Sequence, residues 1–468
     1  MIGKGKKIGA LCLAAMLLCS CGLWEPIETQ PAVGTITSGT QSSLDSDAAG
    51  STVSQPDSAE DLQTYAEQLS SLLESTETAL PKSPKFYQWC AEYTENAALL
   101  KTLYTEFEAN GFSEAAWYRL TGMTVKAAND LYSGKAFSEP NIHVLEGNGQ
   151  EGISFTFGGD ISLADNWKTM EYLKTTANGI TDCISPFLIQ AMQQADLTVL
   201  NNEFCFSDRG EPMAGKMFTF RGNPENVSIY HTLGVDIVDL ANNHVYDYGE
   251  DAFYDTLDTL AAADIAYMGA GRTIREASRP VYYIVEGKKI AFVAATRAEK
   301  YVLTPEAGET TPGVLRCYDP KAFLAVIQEA EQQADFVIAN VHWGTENSHA
   351  LEAVQPETAY QYIDAGADLI IGTHAHCLQG IEYYNNVPIV YNLGNYWFSH
   401  YDIDTGLLGV TLFADDSLEL VFHPATQRNC RTTYVGGEAE GDRILQCMRD
   451  YSINVQIDEH GVITETVQ

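Results

Sequence analysis

Five short apolar runs in the middle of this chain each end in a small polar cluster. The clearest run, residues 235–240, leads into Ala-Asn-Asn-His-Val-Tyr-Asp-Tyr-Gly at residues 241–249, and a helical pattern follows to about residue 262. Apolar strands that alternate with helical patterns indicate an α/β fold. Ligands bind at the carboxyl ends of strands in open α/β sheets. The pattern therefore predicts an α/β domain with a site built from strand ends.

The side chains in the five clusters are of types that bind metal ions. They are Asp160; Glu203; Asn243 with His244; His342 with Glu346; and His374 with His376. Imidazole, carboxylate and amide oxygen suit borderline or hard divalent ions such as Mn, Zn, Fe or Mg. One or two such ions would clamp a phosphate-like anion and lower the pKa of a bound water. A single His-x-His step occurs often by chance, so the prediction depends on the five clusters together.

The N-terminus has the pattern of a targeting segment. Lys4, Lys6 and Lys7 precede a short apolar stretch over residues 8–18, and Leu18-Cys19-Ser20-Cys21 follows. This arrangement resembles a bacterial lipoprotein signal, which implies cleavage of residues 1–20 and lipidation of Cys21. The alternative is an ordinary signal peptide with a chance cysteine. The apolar stretch is too short for a membrane-spanning helix, so we expect an extracytoplasmic protein that is anchored to the membrane by lipid.

Charge and composition restrict the partners. The chain has 27 basic and 63 acidic residues and a formal net charge of -36, which becomes -39 when residues 1–20 and their three lysines are removed. Binding to nucleic acid needs a basic surface, so a nucleic-acid partner is not expected. Seven cysteines follow Cys21 without close spacing, a pattern that does not predict a disulfide framework.

The remaining patterns divide the chain into further regions. Residues 21–60 are rich in Ser, Thr, Gly, Gln and Asp, which predicts a disordered tether. Residues 61–148 are mainly helical, either as a small domain or as an extension packed on the main domain. Residues 152–425 form the α/β domain, and residues 426–468 form a C-terminal extension. Two late apolar segments, residues 407–413 and 418–423, predict an antiparallel pair that belongs to a second sheet.

An ordered set of motifs over about residues 153–399 resembles one protein family. The motifs are Gly-Gly-Asp, Asn-x-Glu, Ala-Asn-Asn-His-x-x-Asp-x-Gly, His-Trp-Gly-x-Glu, Gly-x-His-x-His and Tyr-x-Leu-Gly-Asn-x-x-Phe. They resemble the CapA family of capsule or poly-γ-glutamate synthesis proteins, also called the PgsA type. That family is similar to the calcineurin-like metallophosphoesterases. The resemblance implies a four-layer α/β/β/α sandwich with a two-metal site, here with an N-terminal helical segment, and capsule or poly-γ-glutamate synthases in the membrane as partners.

The resemblance also assigns roles to individual residues. It implies metal ligands, with Glu203 in the bridging position, at Asp160, Glu203, Asn243, His342, His374 and His376. It implies that His244 is the catalytic imidazole and that Asp247 orients it. Glu346 is expected to support His342 or to contact substrate, and Asn395 to contact substrate. The metallophosphoesterases begin with Asp-x-His, but here Ile161 and Ser162 follow the aspartate.

Three functions are compatible with these patterns. The first is a surface lipoprotein in the synthesis or export of poly-γ-glutamate or another capsule polymer. The second is a metal-dependent phosphoester hydrolase at the cell surface, and the third is a binding or scaffold protein without catalysis. The acidic balance disfavours a simple electrostatic grip on polyglutamate. If the polymer binds, a metal or the arginines Arg221, Arg272 and Arg297 are predicted to hold it.

Overall fold

A computed structural model describes residue 118 and residues 122–132, 134–298 and 303–466. The predicted signal peptide (residues 1–20), the tether (residues 21–60) and most of the helical region (residues 61–148) lie outside the described residues. Within the described part of the chain, no helix has the length and apolar character that crossing a membrane requires.

Helices and strands alternate along the described chain. The α-helices are α1 (Val125–Tyr132), α2 (Lys135–Ser138), α3 (Lys168–Leu173), α4 (Pro186–Gln194), α5 (Ser228–Leu233), α6 (Gly249–Ala262), α7 (Ile274–Ala277), α8 (Lys321–Gln333), α9 (Val354–Asp364) and α10 (Ala439–Tyr451). The strands are β1 (Ile142–Val144), β2 (Ile153–Ile161), β3 (Leu197–Asn202), β4 (Cys205–Phe206), β5 (Arg221–Gly222), β6 (Ile237–Asp239), β7 (Ala266–Met268), β8 (Ala270–Gly271), β9 (Val281–Val285), β10 (Lys288–Thr296), β11 (Gly313–Val314), β12 (Phe336–Trp343), β13 (Leu369–His374), β14 (Ile381–Tyr384), β15 (Val387–Val390), β16 (Asn395–Trp397), β17 (Ile403–Leu412), β18 (Leu418–Arg428), β19 (Arg431–Tyr434), β20 (Val455–Ile457) and β21 (Val462–Glu465).

Two large sheets contain most of these strands. The seven-stranded sheet has the order β1-β9-β10-β12-β13-β15-β14, and β10, β12, β13 and β15 are parallel neighbours. The ten-stranded sheet has the order β20-β21-β18-β17-β2-β3-β6-β7, with β16 paired to β2 and β19 to β18. Its strands β2, β3, β6 and β7 are parallel neighbours. Both sheets therefore present several parallel strand ends, as the alternation of strands and helices predicted.

The two sheets pack face to face, and helices cover their outer faces. In β12, Phe336 and Ile338 join the core between the sheets, while Val337 and Ala339 join the core under the helices. This strand is a continuous apolar run because both of its faces are buried. Helices α8 and α9 cover the seven-stranded sheet, and α4, α5 and α6 cover the ten-stranded sheet. The four-layer α/β/β/α sandwich that the resemblance implied is confirmed.

Short local signals set the boundaries of several elements. Asn223 accepts a hydrogen bond from the Glu225 amide, and Pro224 opens a short 3-10 helix over Pro224–Val227 before α5. Asn223 is therefore the N-cap of this segment, whose first turn is 3-10 and not α-helical. An asparagine side chain satisfies an amide that has no partner within the helix.

The late antiparallel pair is confirmed, but it belongs to the same sheet as β2, the first long strand of the domain, and not to a second sheet. Strands β17 and β18 are antiparallel over ten registered pairs, from Ile403↔Gln427 to Leu412↔Leu418. Strand β17 also pairs with β2, so the late strands extend the sheet with which the domain begins. Hydrophobic patterning does not specify which sheet a strand joins. Strand β18 runs through the expected boundary at residues 425 and 426, and β19, β20 and β21 continue the same sheet.

Candidate metal centre

The polar clusters meet where the parallel strands of the two sheets end. Asp160 lies at the end of β2 and pairs in register with Asn201 of β3, and Glu203 follows β3. On the facing sheet, Trp343 at the end of β12 pairs with His374 at the end of β13, which places His342 one residue before that pair. The rings of His342 and His374 lie 4.5 Å apart between centroids. Each sheet therefore supplies ligand-type side chains to one buried site.

The glycines before Asp160 allow a loop to approach this strand end. A Cβ atom on Gly159 would lie 1.7 Å from the backbone oxygen of Gly394, so only glycine fits. The Asp160 amide donates to the same oxygen at 2.9 Å, and β16 then pairs with β2. The Gly-Gly-Asp motif thereby brings Asn395 beside Asp160.

Glu203 belongs to two groups of metal-ligating atoms. One group is Glu203, His342 and His374, and the other is Asp160, Glu203 and His376; within each group the ligand atoms lie within 4.8 Å of one another. The Glu203 Oε1 atom is 3.6 Å from Nε2 of His342 and 3.9 Å from Nε2 of His376. This arrangement places Glu203 between two adjacent three-ligand sets. Its role as a bridging carboxylate stays a prediction.

Neighbouring groups orient the ligand side chains. His376 Nδ1 lies 2.8 Å from Asn395 Oδ1 and 3.0 Å from Asp160 Oδ2, so its Nε2 is turned toward Glu203. Asn243 Oδ1 lies 2.8 Å from Nε2 of His342. Hydrogen bonds of this kind fix the orientation of a histidine ring before a metal binds. The amide of Asn243 is therefore within reach of the set that contains His342.

The backbone that carries the histidine pair adopts left-handed conformations. His374 has a φ of 95° and His376 a φ of 55°, values that side-chain-bearing residues seldom adopt. The His374 amide donates to Asp160 Oδ1 at 3.3 Å, which fastens this turn to the facing sheet. Backbone strain of this type concentrates at functional sites because the surrounding structure has to sustain it.

The chemistry of the donor set fits a divalent cation. Glu203 Oε1 and His374 Nδ1 are buried and have no hydrogen-bond partner among the described residues. Burial raises the pKa of Glu203 well above its usual range, and the nearby carboxylates of Asp160 and Glu346 add to this effect. Burial lowers the pKa of both His342 and His374 well below the usual range. Lone pairs without partners, next to buried carboxylates, are what a metal ion would satisfy.

His376 lies between two carboxylates that stabilise a positive charge in the site. Burial by itself lowers the pKa of His376, but the carboxylates of Glu203 and Asp160 outweigh it and raise the pKa to about 10. A proton on this ring and a metal ion beside it would meet the same need, because both offset the two buried carboxylates.

His244 and Asp247 form a pair next to these ligands. His244 Nδ1 lies 2.7 Å from Asp247 Oδ2, and His244 Nε2 lies 4.0 Å from Glu203 Oε1. Asn242 Oδ1 accepts from the amides of His244 and Val245, which forms the turn after β6 and directs His244 into the site. Burial lowers the pKa of His244 below its usual value, although Asp247 opposes this shift. A carboxylate that fixes the ring in one tautomer is the arrangement expected of a proton-transferring histidine.

The predicted substrate residues occupy different positions. Glu346 is exposed on the loop after β12, and its charge acts on Glu203 and His376. Asn395 is buried against His376. Arg221 donates to the backbone oxygens of Arg209 and Gly210 and stacks over the Tyr248 ring. Its role in binding substrate stays a prediction.

The two other arginines are also engaged with neighbours. Arg272 pairs with Asp258 on α6 and lies over the Tyr254 ring. Arg297 lies over the Tyr318 ring at 4.3 Å, and its amide donates to the backbone oxygen of His342. Arg297 is therefore the one of the three whose backbone contacts a candidate ligand, and the polymer-binding role of all three stays a prediction.

Several residues of the site were not assigned from sequence. Asn201 Nδ2 lies 2.8 Å from Asp160 Oδ1, 3.4 Å from Glu203 Oε2 and 3.3 Å from His342 Nδ1. Asn201 is the first residue of the Asn-x-Glu motif, so its place at a strand end was a usable signal. Lys216, which contacts Asp247 at 2.7 Å, lies in a polar loop without any pattern to mark it.

An aromatic wall borders the histidines on one side. Phe220 packs on His244 with 4.6 Å between ring centroids, and Phe398 packs on His376 with 4.9 Å. Trp167 contacts Phe220 at 5.0 Å and also Phe218, whose ring is half exposed. These rings exclude water from one face of the site, which strengthens electrostatic interactions within it.

Comparisons with known proteins agree with the motif pattern. The family model described as "Bacterial capsule synthesis protein PGA_cap" matches residues 154–400. The PGA biosynthesis protein CapA of Bacillus subtilis (strain 168) is 32% identical over 270 residues, which cover 57% of this chain and 68% of that protein. The capsule biosynthesis protein CapA of Bacillus anthracis is 34% identical over 189 residues, which cover 40% of this chain and 45% of that protein.

One solved structure resembles the fold weakly. The 5'-nucleotidase from Candida albicans SC5314 aligns with a TM-score of 0.33 and 13% identity, and the alignment covers 58% of this chain and 52% of that one. Nothing about this chain follows from so weak a likeness.

Proposed function

This chain belongs to the CapA family of bacterial capsule synthesis proteins, and on that basis we propose that it takes part in the synthesis or export of poly-γ-glutamate or a related capsule polymer. The names of two relatives, a PGA biosynthesis protein and a capsule biosynthesis protein, support this role. The capsule or poly-γ-glutamate synthase proteins of the membrane are the partners that this role requires.

The biochemical activity that we propose is metal-assisted hydrolysis of a phosphoester. The observation that carries it is the position of Glu203, which belongs to both three-ligand groups. Asp160, Glu203 and His376 would hold one ion, while Glu203, His342, His374 and the amide of Asn243 would hold the other. A divalent pair in such a site binds the oxygens of a phosphoryl group and lowers the pKa of a water.

The residues around the ligands have separate tasks in this proposal. His244, protonated on both ring nitrogens, is the proton donor: its Nε2 gives the proton to the leaving oxygen, and Asp247 holds the ring through Nδ1, 2.7 Å away. The hydrogen bond leaves Nε2 as the atom that faces the site. Phe220 and Phe398 shield the two histidines from water on one side. Asn201, through its contact with Asp160, holds a ligand carboxylate in place.

We also propose that lipid on Cys21 anchors the protein to the outer face of the cell membrane. The support is the sequence pattern of residues 1–21, with Leu18-Cys19-Ser20-Cys21 after a basic and an apolar stretch. The Cys21→Ser variant tests this step. The wild type is expected in the membrane fraction with a lipid-modified Cys21 by mass spectrometry, and the variant without that modification. An unmodified wild-type Cys21 would contradict the anchor.

Complementation tests the role in polymer synthesis. A strain that lacks the gene is expected to lose surface polymer, and the wild-type gene to restore it. Glu203→Ala removes the carboxylate that both groups share, so we expect no restoration, whereas the exposed Asp208→Asn should restore it fully. Full restoration by Glu203→Ala would show that the protein works as a scaffold without a metal site. No polymer defect in the deletion strain would overturn the capsule role itself.

A further inference from the structure

One lysine points inward from a loop whose neighbouring side chains face solvent. Lys216 lies in the segment between β4 and β5, and its side chain is 6% exposed. The next two residues, Met217 and Phe218, are 87% and 52% exposed. A lysine is rarely buried unless it is paired, because its ammonium loses hydration. The burial of Lys216 beside two exposed apolar residues therefore needs a specific partner inside the protein.

Two partners of Lys216, Asn243 and Asp247, lie on either side of His244 in the turn after β6. Its Nζ lies 2.7 Å from Oδ1 of Asp247, whose side chain is fully buried. The same Nζ donates to the backbone oxygen of Asn243, which also accepts from Thr304 Oγ1 at 2.8 Å. One ammonium thus fixes the residue just before His244 and the carboxylate that binds its ring.

The two oxygens of Asp247 are divided between different tasks. Oδ2 lies 2.7 Å from Nδ1 of His244 and accepts the Phe220 amide at 2.7 Å. Oδ1 forms an ion pair with Lys216 at 2.7 Å, although no hydrogen bond to Oδ1 is found among the described residues. With both oxygens engaged, the carboxylate cannot rotate about its terminal bond without losing a charged contact. In a buried site the attraction between the two charges is stronger than at the surface, because little water screens it.

The loop does not depend on Lys216 for its attachment. The Met213 amide donates to the backbone oxygen of Asp247 at 2.8 Å, and the Phe220 amide bonds the Asp247 side chain. A Cβ atom on Gly210 would lie 2.0 Å from the backbone oxygen of Tyr248, which shows how closely the loop passes the turn. These backbone contacts hold the loop on both sides of Lys216. The ammonium is therefore not needed to attach the loop, and its contacts fix the turn that carries His244.

We propose that Lys216 is a positioning residue for His244, acting through the carboxylate of Asp247 and the backbone oxygen of Asn243. The role rests on the proposed function, in which His244 gives a proton to the leaving group. Lys216 keeps the carboxylate at the angle that holds the imidazole toward Glu203. It adds no ligand to the metal groups, so its loss should leave metal content unchanged.

Kinetics of paired variants test this role with para-nitrophenyl phosphate as the probe. Lys216→Met is expected to lower kcat by about tenfold to a hundredfold, because a small displacement of a catalytic group is costly, with little change in KM. Lys168→Met is the matched control, since Lys168 makes an ion pair of the same length, 2.7 Å, on the surface. Its kcat should stay within about twofold of the wild type. Lys216→Arg, which keeps the charge, should recover part of kcat.

A double-mutant cycle separates positioning from general stability. If Lys216 acts through His244, then adding Lys216→Met to His244→Ala should lower kcat by no more than about twofold further. The full separate loss in the double variant would overturn the proposal. Loss of metal from Lys216→Met would also overturn it, because the lysine would then support the ligands.

An NMR measurement tests the role of Lys216 even if the wild type does not hydrolyse the probe. In the full chain labelled with ¹⁵N-histidine, the Nδ1 proton of His244 should give a protected signal, identified by its loss in His244→Ala. The signal should persist in Lys168→Met and disappear or shift in Lys216→Met. An unchanged signal in a folded Lys216→Met protein would refute positioning by Lys216. Failure of hydrolysis alone would refute the proposed activity.

Discussion

The Oε1 atom of Glu203 lies 3.6 Å from Nε2 of His342, although the two side chains come from different sheets and neither is exposed. No hydrogen bond to Oε1 is found among the described residues. Burying a carboxylate without a partner is costly, because the ion loses its hydration. A cation between the sheets would remove that cost. Because Glu203 belongs to both groups of candidate ligands, a cation in either group would lie beside its carboxylate.

Metal content should depend on which group is changed. His342→Ala removes a ligand from one group and His376→Ala from the other, so each variant should lose about half of the bound metal. Glu203→Ala removes the shared ligand and should lose nearly all of it. Elemental analysis of the purified protein measures each ratio. His460→Ala, which removes an exposed histidine, is the control. Equal loss in the two single histidine variants and in Glu203→Ala would contradict two separate groups.

Asn201 should influence metal affinity without being a ligand. Asn201→Leu removes the amide that lies 2.8 Å from Asp160 Oδ1, and we expect affinity to fall about tenfold to a hundredfold because the ligand loses its support. Competition with a chelator measures this change. Asn141→Leu is the matched control, since Asn141 is also buried and bonds the Pro280 oxygen at 2.8 Å. Equal affinities of both variants would exclude support of Asp160 by Asn201.

Asp368 should make stability depend on pH. Burial raises its pKa from 3.8 to about 6, against the hydrogen bond from the Val337 amide. Since the folded pKa is above the unfolded value, the protonated carboxyl contributes stability below about pH 4, and this contribution is lost as pH rises through 6. Asp368→Asn keeps an acceptor and cannot ionise. We therefore expect the variant to gain stability over the wild type between pH 4 and pH 8.

The size of that gain follows from the pKa. The rise from 3.8 to about 6 sets an upper limit of about 3 kcal/mol, and the partial exposure of Asp368 reduces our expectation to about 1 kcal/mol. Thermal unfolding at pH 4 and pH 8 measures it. The exposed Asp208→Asn should show parallel behaviour to the wild type at both values. An Asp368→Asn protein that gains nothing at pH 8 would contradict the raised pKa.

A buried ion pair should hold α1 on the seven-stranded sheet. Lys289 Nζ lies 2.5 Å from Asp130 Oδ2, with side chains 3% and 7% exposed, and 4.0 Å from the centre of the Tyr282 ring. Lys289→Met leaves a buried carboxylate without its cation, so the free energy of unfolding should fall by about 3 kcal/mol. Lys321→Met breaks an exposed pair and should leave the free energy of unfolding nearly unchanged. Denaturant unfolding compares the two, and equal effects would argue against a buried pair.

Much of the fold was accessible from sequence because its signals are local. The helical pattern predicted to about residue 262 is α6, and the late antiparallel pair predicted over residues 407–413 and 418–423 lies within β17 and β18. The polar residues that follow apolar strands do meet, as a site built from strand ends requires, but they come from two facing sheets and not from the edge of one. The assignment of the late strands to a second sheet was wrong, because β17 pairs with β2. More than two hundred residues separate these strands, and the hydrophobic pattern of one strand does not show which distant strand it pairs with.

The sequence by itself determined the α/β class, the residue types at the strand ends and the family to which the chain belongs. Only the tertiary structure decided that Glu203 belongs to both ligand groups, that Asn201 contacts Asp160 and that Lys216 reaches Asp247. Periodicity and spacing predict the local conformation of a segment and which of its faces is buried. Contacts between distant segments depend on sheet register and on the packing of one sheet against the other, and neither is encoded within a short stretch of chain.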